Sequence, residues 1–118
     1  MKVRDSGMPE EVRWNGFFDT DLILSKLNIN SKIADLVEIG SGYGTFTIST
    51  AKLIQGKLFA FDIEEKMIEN LNQKIQNQQT NNIRLEKRDI LAYTTELPDN
   101  SIDYVMLFFT PRIALGVY

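Results

Sequence analysis

The 118-residue chain has 43% hydrophobic and 25% charged residues and a formal net charge of −3, the make-up of one ordinary globular domain, not of a disordered segment. It has no cysteine and no histidine, which excludes disulfides, thiolate metal sites, cysteine nucleophiles and the usual general base near neutral pH. Its acidity without a Lys/Arg cluster argues against nucleic acid as a partner, and the lack of a bilayer-length apolar run or signal-peptide core predicts no membrane span and a cytoplasmic location.

Residues 1–31 are expected to form an N-terminal helical segment. A polar stretch to Met8 precedes Pro9-Glu10-Glu11, where proline suits a first helical position and the glutamates complement the helix dipole. Trp14, Phe17 and Phe18 make this stretch aromatic; such residues more often dock on a sheet than form a lid over a site. Asp19-Thr20-Asp21 can cap a second short helix over Leu22 to Leu27, and Asn28 to Ser31 reads as a turn.

From Lys32 strands and helices alternate. Ile33 to Ile39 reads as a strand that runs into Gly40-Ser41-Gly42-Tyr43-Gly44, and Thr45 to Ile54 reads as a loosely amphipathic helix with Phe46, Ile48, Leu53 and Ile54 as its apolar residues. That helix is expected to stop near Gln55-Gly56, with glycine as its C-terminal signal. Lys57 to Asp62 is a second strand. Glu64 to about Gln78 is a second amphipathic helix, with Met67, Ile68, Leu71 and Ile75 inward and Glu65, Glu69, Gln73 and Lys74 outward. After a polar loop, Ile83 to Arg88 alternates as a third strand. Asp89 to Leu97 connects, Pro98-Asp99-Asn100-Ser101 turns, and Ile102 to Phe109 is a fourth, nearly all-apolar strand. Such alternation predicts an α/β fold, a Rossmann-like three-layer sandwich with a mainly parallel sheet.

Three chemical features then fall at the C-terminal ends of successive strands, the edge where open α/β sheets bind ligands. The glycine loop follows the first strand, Asp62 ends the second and Asp89 follows the third. Alternating glycines permit positive φ and close approach of backbone to a ligand, and a following helix N-terminus favours an anionic group. Asp62 lies about 20 residues beyond the loop, the spacing of a ribose-binding carboxylate. A strand-end aspartate can equally cap the next helix, and Asp89 can equally be a turn residue. The dinucleotide fingerprint G-x-G-x-x-G is not matched, because the third glycine, Gly44, comes one position early. Glu38, two residues before the loop, is a poor neighbour for a pyrophosphate and a good acceptor for an ammonium group.

Glu38-Ile39-Gly40-Ser41-Gly42-Tyr43-Gly44 resembles the first motif of the class I S-adenosylmethionine-dependent methyltransferases. Asp62 is similar to that family's ribose carboxylate, Arg88-Asp89-Ile90 to its adenine-contacting motif, and Leu97 to Val105 to the stretch entering its fourth strand. The last resembles the small-molecule branch that includes ubiquinone and menaquinone biosynthesis enzymes. The resemblance runs from Lys32 to Phe109, so 32–109 is expected as an S-adenosylmethionine-binding Rossmann-like domain. It implies S-adenosyl-L-methionine as cofactor and a small-molecule methyl acceptor. Glu38 with Gly40, Ser41, Gly42, Tyr43 and Gly44 would hold the methionine part. Asp62 would hold the ribose, Ile63 would stack on the adenine, and Asp89 and Ile90 would fix its outer edge. No residue is assigned to catalysis and no metal is implied. The rival readings are an NAD-binding oxidoreductase half, which the glycine spacing opposes, and a non-catalytic interaction fragment.

The family's sheet has seven strands, and residues 32–109 supply four, so the domain is expected to be truncated after the fourth. Residues 110–118 form an atypical tail unlike the family's next segment. On that expectation the fourth strand presents an uncovered apolar edge, which favours self-association.

Overall fold

The structure, a computed structural model, describes residues 16, 19–89, 97 and 101–107. The helix expected from Pro9, the aromatic residues Trp14, Phe17 and Phe18, Ile90, the turn over 98–100 and the tail 110–118 lie outside the described residues.

Helix α1 (Thr20–Lys26) begins where the sequence places a cap: Asp19 Oδ1 accepts the Leu22 N–H at 3.1 Å. The turn after it uses Asn28 at φ 59°, a left-handed conformation that asparagine tolerates. Strand β1 (Leu36–Ile39) is followed by helix α2 (Thr47–Leu53), strand β2 (Leu58–Asp62), helix α3 (Glu65–Asn77), strand β3 (Ile83–Lys87) and strand β4 (Tyr104–Leu107). The four strands form one sheet in the order β3-β2-β1-β4, and every pair is parallel. This is the expected α/β architecture; among the described residues β1 lies between β2 and β4, with β4 at the edge.

Strand β1 is shorter than the apolar run suggests, because the residues before it are committed elsewhere. Asp103 Oδ2 accepts the N–H groups of Ala34 and Asp35 at 3.1 and 3.2 Å, and Asp35 Oδ1 accepts the Lys57 N–H at 2.8 Å. Asp103 is exposed, as expected of a strand-start residue, yet it ties the entries of β1 and β4 together. Helix α2 ends at Leu53, and Gly56 is not its left-handed stop; among the described glycines only Gly40, Gly42 and Gly44 have positive φ. A Cβ at Gly56 would instead run into Ala34 O and Asp35 Oδ1, so close approach requires the glycine. Asn82 holds the end of α2 in place, donating from Nδ2 to Ala51 O at 2.8 Å and Gly56 O at 2.9 Å.

The pleat sorts the strand residues onto two faces. Leu36, Leu58, Ala60 and Met106 pack with Leu24 of α1 and Ala51 of α2 in the larger core. Val37, Phe59 and Phe61 line the opposite face with Ile39, Leu97 and Ile102. The register of β1 with β4 places Val105 and Leu107 on this second face, where they are 57% and 47% exposed. Among the described residues no helix is long and apolar enough to cross a membrane.

Candidate functional site

The site forms where β1 and β2 end side by side. Glu38 pairs with Ala60 in register, so Glu38 and Asp62 point to the same face two residues apart along neighbouring strands. That face is the one covered by α2. The loop between β1 and α2 then closes over both carboxyls. Gly40 and Ser41 donate their N–H groups to Phe61 O at 2.9 and 3.2 Å, and Gly44 donates to Ser41 O at 2.9 Å.

The loop keeps this shape because glycines occupy its left-handed positions. Gly40, Gly42 and Gly44 have φ of 80°, 56° and 79°. At Gly44 a second constraint acts: a Cβ there would collide with Leu71 Cδ1. Leu71 is fully buried on α3, so this glycine admits a neighbouring helix beneath the loop as well as turning the chain. Lys74, one helical turn on, donates from Nζ to Tyr43 O at 2.9 Å. It was expected to face outward, and its hold on the loop is a correction to that expectation.

Asp62 is buried and already engaged by the backbone. Its Oδ2 accepts the Gly42 N–H at 2.7 Å and its Oδ1 accepts the Glu64 N–H at 2.9 Å. Burial pushes its carboxyl up from the ordinary range, against the pull of the Glu64 and Gly42 hydrogen bonds. Each oxygen retains acceptor capacity, since an ionised carboxylate offers about four lone-pair sites.

Glu38 is more deeply enclosed, at 1% exposed. Thr47 Oγ1 donates to its Oε1, while its Oε2 has no hydrogen-bond partner among the described residues. Burial pushes its carboxyl up to about 8, Thr47 pulls it down, and the nearby Asp62 charge raises it further. Ser41 Oγ is a second buried polar atom without a partner there. Buried unpaired polar atoms each carry a desolvation penalty of about 1–3 kcal/mol. Two at one strand end, beside a second buried carboxyl, suit a polar, cationic ligand group. A nucleoside carrying an ammonium group fits these residues: an acceptor at Glu38, a buried carboxylate at Asp62 and a loop without side chains at alternate positions.

The structure thus brings together Glu38, Gly40, Ser41, Gly42, Tyr43, Gly44 and Asp62. Ile63 follows Asp62 at the same sheet edge, half-buried, and Asp89 lies half-buried just past the end of β3. Ile90 lies outside the described residues. Thr47 lies within the expected helix but was not among the candidate site residues. The face of α2 that is buried carries Thr47, Ile48, Thr50 and Ala51, whereas Leu53 is 41% exposed. The 47, 50, 51, 54 spacing was the available signal, hidden because two of its members are threonines.

Residues 36–114 match the family described as a methyltransferase domain. No curated protein matches the chain. Among solved structures, the chain is similar to a SAM-dependent methyltransferase from Aquifex aeolicus, with a TM-score of 0.69 and 22% identity over 83% of this chain and 51% of that one. It is also similar to phosphoethanolamine N-methyltransferase 1 of Haemonchus contortus, solved with phosphoethanolamine and S-adenosylhomocysteine, with a TM-score of 0.61 and 28% identity over 72% of this chain and 17% of that one. A tRNA methyltransferase of Aquifex aeolicus matches with a TM-score of 0.63 and 18% identity over 75% of this chain and 35% of that one. The chain therefore spans about half the length of the first of these structures and less of the others.

Proposed function

Since the chain belongs to the methyltransferase domain family, we propose that it binds S-adenosyl-L-methionine and serves methyl transfer to a small-molecule acceptor, the described residues forming the cofactor-holding half. The observation that carries this reading is the buried Glu38 carboxyl, with one oxygen held by Thr47 and the other without a partner. In this reading Glu38 accepts the cofactor's ammonium group and the Gly40 to Gly44 backbone lies along its methionine part. Asp62 accepts from the ribose hydroxyls. Ile63 packs on the adenine, and Asp89 with Ile90 meets its outer edge.

The cofactor supplies an electrophilic methyl group on a sulfonium. The chain's own contribution is to hold that group in line with an acceptor and keep water away, which can account for much of the rate without a histidine or cysteine. A nucleophilic acceptor requires little acid or base assistance, consistent with carboxylates being the titratable groups of the site.

The small-molecule acceptor is supported by the net charge of −3 and by the absence of a Lys/Arg cluster in the sequence. The outer residues of α3 are mostly asparagines, glutamines and glutamates, with Lys66 the one outward lysine because Lys74 holds the loop, a poor surface for a phosphate backbone. The test is to incubate the full-length gene product with methyl-labelled S-adenosylmethionine and with either a cell extract freed of macromolecules or purified tRNA. Label in the acid-soluble small-molecule fraction is expected. Label confined to precipitated tRNA would overturn the acceptor class and leave the cofactor reading standing.

A further inference from the structure

We propose that Thr47 is a positioning residue of the cofactor site: its buried hydroxyl fixes one oxygen of the Glu38 carboxyl and leaves the other for the ligand's cationic group. The inference rests on the cofactor reading above and deepens it.

Thr47 is fully buried on the first turn of α2. Its N–H donates to Gly44 O at 3.2 Å, and its Oγ1 donates to Glu38 Oε1. One residue therefore joins the end of the glycine loop to the carboxyl beneath it. A hydroxyl has a single proton, so it can engage only one carboxylate oxygen at a time. Oε2 is left without a partner although it is buried. A space-filling role would be met equally well by valine, which has the same shape and no such geometry.

The other groups around Glu38 do not do this work. Its register partners are Ala60 on β2 and Met106 on β4, neither of them charged. Thr50 of α2 directs its hydroxyl to Met106 Sδ at 3.9 Å, and Lys74 of α3 directs its amine to Tyr43 O. The charged group acting on Glu38 is Asp62, which disfavours its ionisation, as does burial. Thr47 is the opposing influence. It favours the ionised carboxylate, the form that an ammonium group pairs with.

The test is calorimetric titration with S-adenosylhomocysteine from pH 6 to 8.5 on the wild type, Thr47→Val and Thr47→Ser, with Thr47→Ala replacing valine should the latter not fold. Wild-type affinity is expected to rise with pH as Glu38 ionises. Thr47→Val should move that profile upward by about one pH unit, which is about tenfold weaker binding at pH 7. Thr47→Ser, which keeps the hydroxyl, should overlay the wild type. A valine (or alanine) profile unmoved from wild type, or serine and valine moving together, would overturn the role of the hydroxyl alone. No binding by the wild type at any pH would overturn the cofactor reading and this inference with it.

Discussion

The Asp62 carboxylate accepts the Gly42 N–H at 2.7 Å, joining the end of β2 to the middle of the loop that follows β1. Its other oxygen accepts the Glu64 N–H at 2.9 Å, at the entry to α3. A strand-end aspartate of this kind could be a helix cap or a ribose ligand; the N-cap of α3 is Glu64, without a side-chain cap bond, and Asp62 instead closes the turn before the helix and fixes the loop. Bracing and ribose binding are compatible, because a carboxylate that orders the loop holds its remaining acceptor sites in place beside it.

Asp62→Ala should therefore cost stability as well as affinity. Two backbone donors lose a charged acceptor, each such bond being worth about 1.5–3 kcal/mol. The affinity for S-adenosylhomocysteine should fall on the order of tenfold or more. Asp62→Asn, which keeps one acceptor oxygen, should lie between. Denaturant melts paired with calorimetry separate the effects. Loss of stability with unchanged affinity would make Asp62 a brace for the loop and turn alone.

Gly44→Ala should destabilise the protein through the collision of its Cβ with Leu71. Overpacking of this kind costs about 1–3 kcal/mol, and φ of 79° adds strain for any residue with a Cβ. The collision can be isolated by a double-mutant cycle with Leu71→Ala. The double variant should be more stable than the sum of the two single effects predicts. Strict additivity would show that backbone strain, not the contact with α3, sets the requirement for glycine.

Glu38 makes the protein without ligand pH-sensitive in a defined direction. Its carboxyl is raised from 4.5 to about 8 in the folded state, and that of Asp62 is raised as well. The folded state thus binds protons more tightly than the unfolded chain. The Glu38 contribution to stability is full below about pH 4.5 and is lost as pH climbs toward about 8, and the Asp62 contribution is lost in the same direction. Thermal melts should show a falling Tm across that window. Glu38→Gln should flatten the fall, raise Tm at pH 8 and weaken binding of S-adenosylhomocysteine. A Tm independent of pH in the wild type would contradict the burial of this carboxyl.

The sheet and its order of elements were legible in the sequence, because apolar runs and glycines marked each strand and turn. The ends were not. Ile33 to Asp35 look like strand by composition, but their backbone groups are drawn away by Asn30, Gln55 and Asp103. On α2 and at its caps the expected apolar residues Phe46, Ile48 and Ile54 are buried, but Leu53 is exposed, and Thr47 and Thr50, polar by type, are buried by position. Gly56 was correctly noticed and wrongly explained, since its constraint comes from Ala34 and Asp35, more than twenty positions earlier. The site's main parts, Glu38, the loop and Asp62, were visible as a spacing. Their link through Thr47 and the brace from Lys74 depend on packing across elements, which no local pattern encodes.

The two outer strands differ in a way that bears on association. Strand β3 carries exposed Arg84 and Lys87, charges that discourage pairing of edges, whereas β4 lacks such charges among its described residues and leaves Val105 and Leu107 exposed on the adjoining sheet face. The 118-residue chain alone is expected to self-associate through β4. Light scattering after size exclusion should give a mass above the monomer, falling toward it in Val105→Thr/Leu107→Thr. A monomeric wild type at high concentration would sink this expectation.

The central claim is that this strand-loop-helix unit holds S-adenosylmethionine and not a dinucleotide. Isothermal titration of the wild-type chain at pH 8.5, above the value of about 8 to which burial pushes Glu38, with S-adenosylhomocysteine and separately with NAD, tests it most directly. The account predicts saturable one-to-one binding of S-adenosylhomocysteine, lost or strongly weakened in Glu38→Gln, and no heat of binding for NAD. Equal binding of NAD, or S-adenosylhomocysteine binding indifferent to Glu38→Gln, would contradict it.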